Sequence, residues 1–145
     1  MTKPSILADS YWASETLVPK QTSGGNKTFN VTYTVPSATA AATVIGLVRV
    51  HKGDRPILDF VRNADLDTGS TVTYSVGIAF DDNTDDADDG NLFINAQSGQ
   101  AAFKLDRTAA SFQPTAEDYV APSDGYIILT IDAGPTTTEG AVFVS

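Results

Sequence analysis

Residues 70–80 read STVTYSVGIAF, which sets Val72, Tyr74, Val76 and Ile78 at every second position. A period of two puts all four on one side of an extended backbone, so the segment predicts a strand with one face in a core. Its β-branched and aromatic content favours the same geometry. Working outward, residues 28–35 (TFNVTYTV) place Phe29, Val31, Tyr33 and Val35 on one face. Residues 43–51 (TVIGLVRVH) alternate less strictly, with the apolar set Val44, Leu47, Val48 and Val50, and Gly46 marks a bulge. Residues 55–62 (RPILDFVR), 126–132 (YIILTID) and 140–144 (GAVFV) predict three further strands.

Turn chemistry separates these segments. Lys52-Gly53-Asp54 reads as a hairpin link between the second and third strands, because glycine supplies positive φ and aspartate caps its own turn. Asp65-Leu66-Asp67-Thr68-Gly69 reads the same way between the third and fourth, and Pro122-Ser123-Asp124-Gly125 is another turn. Residues 91–105 fit either a short helix or two edge strands, with Gly99 against one long helix. Many short strands bounded by turns predict an all-β sandwich or barrel. VTYTVP at 31–36 and VTYSVG at 72–77 echo each other, as two strands in similar environments would.

Residues 1–24 read as an N-terminal arm and 25–145 as one domain. The arm carries the only tryptophan, and its apolar residues Ile6, Leu7, Tyr11, Trp12 and Leu17 are candidate contacts to a partner. Packing of Trp12 into the core as part of a first strand is the alternative.

Composition excludes several function classes. The chain of 145 residues has 9 Lys plus Arg against 18 Asp plus Glu, a formal charge of −9. Phosphate recognition needs clustered cations, so nucleic acid and anionic membrane surfaces are disfavoured partners. No cysteine is present, which removes disulfides and thiolate metal sites and suits a reducing cytoplasm. Residues 1–18 lack a basic stretch followed by an apolar run, against a signal peptide. No segment approaches the roughly 20 apolar residues of a membrane span.

Three motifs could carry chemistry. Asp67-Thr68-Gly69-Ser70 is similar to the catalytic strings of aspartic proteases, in which two subunits of the retroviral type each supply one carboxylate. No apolar strand leads into Asp67, and Asp65 adds a second charge nearby, so the string reads as a turn. The acidic run Asp81, Asp82, Asp85, Asp86, Asp88 and Asp89 offers hard oxygen donors, but Asp86 and Leu92 stand where a calcium-binding loop needs glycine and glutamate. A solvated loop is expected. His51 is the sole histidine, placed at a strand end with no nucleophile motif. No catalytic, cofactor-binding or metal-ligating residue is assigned, and no cofactor is expected.

The order of GLVRVHKGD, DLDTGS, TVTYSVGIAF, an acidic loop, NLFINAQSGQA, GYIILTIDAG and EGAVFV resembles the head decoration, or cement, proteins of tailed bacteriophages. The resemblance spans most of residues 28–145. It implies an antiparallel, jelly-roll-like β-sandwich with an extended arm and at most one short helix. It also implies a non-enzymatic subunit on the capsid exterior that binds the major capsid protein, forms a homo-oligomer (dimer or trimer), and assembles in the host bacterial cytoplasm. Two other functions fit an all-β chain. One is a carbohydrate- or receptor-binding sandwich of a fibre or baseplate, with Tyr11, Trp12, Tyr119 and Tyr126 as aromatic platforms. The other, more remote, is the dimeric aspartic protease.

Overall fold

Strands of nearly unbroken Val, Ile, Leu and Tyr need cover on both faces, and the two of this kind stand side by side. They are β5 (Thr73–Phe80) and β8 (Gly125–Ala133), antiparallel from Thr73 opposite Ala133 to Phe80 opposite Gly125. The computed structural model describes residues 6–7, 29–67, 71–81, 87–106, 112–113 and 118–145. β3 (Val44–Val50) flanks β8, β6 (Asp89–Ser98) flanks β5, and β1 (Ile6–Leu7) runs parallel along the outer side of β3. The second sheet has the order β2 (Val31–Val35), β9 (Gly140–Val144), β4 (Phe60–Asn63), β7 (Phe103–Asp106).

The antiparallel pairs obey one nested rule: β5 with β6, β4 with β7, β3 with β8, β2 with β9. The chain is one long hairpin folded over itself, and successive rungs fall alternately in the two sheets. Pairing of β5 with β8 and of β4 with β9 closes each sheet. This is the connectivity of a double-sheet jelly roll. Between the sheets lie Val35, Ile45, Val61, Leu66, Tyr74, Val76, Ile78, Phe93, Leu129 and Ile131, all buried. Two polar side chains set among them satisfy each other and the backbone: Tyr74 Oη donates to Asn63 Oδ1 at 2.9 Å, and Asn63 Nδ2 donates to the carbonyls of Ala64 and Ala101. Burial pushes the Tyr74 hydroxyl pKa up, so it stays a donor.

The nested topology corrects the two hairpin expectations. The turn at Lys52-Gly53-Asp54 exists, with Gly53 at φ 88° and Asp54 N donating to His51 O at 2.9 Å, but it connects β3 of one sheet to β4 of the other. Residues 65–69 likewise cross between sheets, from β4 to β5. Turn residues set a local reversal and carry no information on which sheet receives the next strand. The predicted strand at 55–62 starts only at Phe60, because Pro56 has no N–H for a ladder and Arg55 instead pairs with Asp118. The echo at 31–36 and 72–77 covers two strands in unlike places: β2 is an edge strand with an exposed outer face, whereas β5 is central and buried on both faces.

Other expectations hold. The register of β3 shifts between Gly46 and Val48, a bulge that changes which face the apolar residues take. Ile45, Leu47 and Val50 therefore point inward, and Val44 joins Ala79, Tyr126 and Ile128 in a cluster on the outer side of the five-stranded sheet. Of the two readings of 91–105, edge strands are correct: β6 and β7 each end a sheet. β6 is itself bulged, with Ala96 at φ 51° and two register shifts against β5, which blunts an open edge. At Gly77 of β5 the backbone of β6 approaches closely. A Cβ there would lie 2.1 Å from the Asp89 carbonyl oxygen and 2.3 Å from the Gly90 carbonyl carbon.

Candidate functional site

Asp67, the one residue with a protease-like context, is buried. Its Oδ2 accepts from the Thr71 amide at 3.2 Å and the Val72 amide at 3.4 Å, and its Oδ1 accepts from Thr137 Oγ1 at 2.7 Å. Asp65 Oδ1 in turn accepts from the Asp67 amide at 3.0 Å, so the second carboxylate caps the turn that holds the first. The connections around it are linked in the same manner. Thr136 Oγ1 donates to Pro36 O and accepts from the Thr39 amide, while the Leu66 amide donates to Gly99 O. Asp67 thus staples the β4–β5 and β8–β9 connections at one end of the sandwich. Residues 68–70 of the motif lie outside the described residues.

The opposite end is ionic. Arg49 of β3 makes a bidentate pair with Asp81, at 2.8 and 2.6 Å, and its guanidinium lies 4.7 Å over the Tyr126 ring. Hydrogen bonding to Asp81 raises the Arg49 pKa further above the ordinary arginine value. Asp124 Oδ1 accepts from the Lys52 amide at 2.8 Å, and its Oδ2 lies 3.7 Å from His51 Nδ1 and 3.8 Å from Arg49. The Lys52 amide first, then His51 and Arg49, hold the Asp124 carboxyl below the usual aspartate value of 3.8. A depressed carboxyl stabilises the fold above its unfolded pKa, and that contribution is lost as pH falls through the folded pKa. The urea midpoint of the wild type should therefore fall below the usual aspartate range more steeply than that of Asp124→Asn. Parallel curves over that range would remove Asp124 from the account.

The acidic run is partly described. Asp81 binds Arg49, Asp88 accepts from the Phe80 amide at 2.8 Å, and Asp89 accepts from the Asn91 amide at 3.3 Å. Residues 82–86 lie outside the described residues. No three His, Asp or Glu side chains gather as a metal-binding group among the described residues. Ser75 Oγ donates to Asp132 and accepts from the Ala96 amide at 3.0 Å. Ser75 stands opposite Thr130, whereas His51 follows the Val50–Gly125 pair, so no imidazole serves this serine.

Of the candidate partner contacts, Ile6 and Leu7 form β1, in register with Ile45 and Gly46 of the sheet edge. Tyr11, Trp12 and Leu17 lie outside the described residues. The platform reading loses support at Tyr126, which is 1% exposed beneath Arg49, and at Tyr119, which is half-buried against the core.

One surface emerges only from the register. On the outer face of the four-stranded sheet, Thr32, Phe143, Arg62 and Lys104 are successive neighbours across all four strands. The Phe60 and Phe143 rings stack at 5.4 Å, with Arg62 5.4 Å over Phe143 and Lys104 5.1 Å over Phe60. The signal was available in part: Phe60 and Arg62 alternate with the buried Val61, and Phe143 alternates with Val142 and Val144. Their meeting depends on strands far apart in sequence.

Strand order and pairing place this chain among jelly-roll β-sandwiches. It is similar, at a TM-score of 0.66 and 23% identity, to a chain described as the capsid of Ralstonia phage GP4, with 96% of this chain and 94% of that one covered. No family model and no curated protein matches the sequence. Among the described residues, no helix is long and apolar enough to cross a membrane.

Proposed function

We propose that this chain is a structural protein of a phage virion. In this reading it binds the outer surface of the capsid, contacts the major capsid protein and stabilises the shell by bridging neighbouring capsomers. The observation that carries the reading is the likeness, along 96% of the chain, to a chain described as a phage capsid. The chemistry of the described residues is compatible with a role without catalysis: Asp67 is engaged by three donors, and His51 has Asp124 as its ionic neighbour.

The arm is the proposed contact. Ile6 and Leu7 run along the β3 edge, a position from which an arm can continue onto a neighbour, with Tyr11, Trp12 and Leu17 as apolar anchors. Association as a dimer or trimer would multiply weak contacts into avidity. The protein works on the virion exterior after assembly in the host cytoplasm, with neither nucleic acid nor membrane as partner and without a cofactor.

Co-sedimentation with capsid shells tests the reading: the wild type is expected in the pellet at micromolar concentration, and a protein left in the supernatant would sink it. Deleting residues 1–24 should reduce the bound fraction more than it lowers the unfolding temperature. Unchanged binding would remove the arm from the interface.

A further inference from the structure

We propose that the outer face of the four-stranded sheet, where Arg62 and Lys104 stand over the Phe143 and Phe60 rings, docks on a carboxylate-bearing protein surface of the particle, an inference that rests on the virion reading above. The argument begins with charge. In a chain with 18 acidic and 9 basic side chains, a surface cation has carboxylates of its own chain within easy reach. Arg49 and Arg55 use them, at 2.6 Å to Asp81 and 3.2 Å to Asp118. Arg62 and Lys104 instead lie against aromatic rings, with no ion pair to a described carboxylate.

Geometry gives the pair its function. Arg62 and Lys104 are directly opposite in the β4–β7 register, so their Cβ atoms are about 5 Å apart, and both side chains are exposed. A ring beneath a guanidinium engages its flat face and leaves its in-plane N–H groups for carboxylate oxygens. The rings also fix both cations without consuming their charge, so little side-chain freedom remains to be lost on docking. Stacked Phe60 and Phe143 add apolar area beneath.

The same features decide the occupant. Two cations on a chain of charge −9 offer no track for a phosphate backbone. Asp106, opposite Phe60, also stands on this face, so two copies meeting across a two-fold axis would set four cations against two carboxylates and leave positive charge unmatched. A protein surface carrying acidic side chains matches both the charge and the apolar area.

The test uses shells of the phage that encodes this chain and begins with the wild type, whose failure to co-sediment would end the virion reading and this proposal with it. Given wild-type binding, the double charge reversal Arg62→Glu with Lys104→Glu is expected to lower the bound fraction about tenfold while leaving the unfolding transition in place. Lys52→Glu, at the other end of the sandwich, should bind as the wild type does. Raising salt should weaken the wild type more than the double variant. Equal binding by the double variant would overturn the proposal. So would sedimentation of the wild type alone as an oligomer that the double reversal dissolves, because the occupant would then be a second copy.

Discussion

Replacing Gly77 by alanine is expected to destabilise the fold by about 3 kcal/mol, lowering the unfolding midpoint by roughly 10 °C. The new Cβ would stand 2.1 Å from the Asp89 carbonyl oxygen and 2.3 and 2.5 Å from the Gly90 carbonyl atoms. All three belong to backbone, which cannot rotate aside as a side chain can. Relief requires β6 to lift off β5, and β6 carries the buried Phe93 and Ile94 on the same strand. Gly90→Ala is the matched control, since a Cβ there meets nothing within 4 Å. It should be neutral or slightly stabilising, because alanine reduces the freedom of the unfolded chain. Thermal melts of the two variants that coincide would refute the crossing contact.

Asp67 should show the second large effect, and its two substitutions should differ. Asp67→Ala strips a partner from Thr137 Oγ1 and from the amides of Thr71 and Val72 and leaves a void, a loss of about 3 kcal/mol. Asp67→Asn can keep the network: its carbonyl oxygen can face the two amides while its NH2 donates to the Thr137 hydroxyl. A cost of about 1 kcal/mol is expected, for the lost charge-assisted bonds. Chemical denaturation of both variants decides it. Equal losses in the two would mean that charge, rather than the staple geometry, is what the site needs.

Much of this architecture could be read from local pattern. The alternation in residues 70–80 located β5, Gly46 marked the β3 bulge, and Gly99, which spoke against one long helix, falls just after β6. What local pattern could not supply was the sheet to which each strand belongs. Val35 pairs with Gly140 and Val44 with Thr130, so partners are chosen by burial across most of the chain. The same distance hid two site features. Asp67 could be read as a turn residue, but its burial depends on a hydroxyl seventy positions away. The cation and ring pairs on the outer face exist only once β4, β7 and β9 are in register. His51, by contrast, stands exposed at a strand end, as its place beside a glycine turn indicated.

The nested pairing also sets when in its synthesis the molecule can take shape. β9 lies between β2 and β4, so of the four-stranded sheet only the β4–β7 pair can close before residues 140–144 emerge. In the five-stranded sheet β3 can meet β1 and β5 can pair with β6 early, but the two halves join only through residues 125–133. Contacts of such long sequence separation place folding in the slow, millisecond-to-second range of β proteins. Until residues 125–144 are made, β2 and β3 therefore lack their antiparallel partners. A chain cut short before residue 125 would leave the apolar faces of β2, β3 and β5 open to proteolysis.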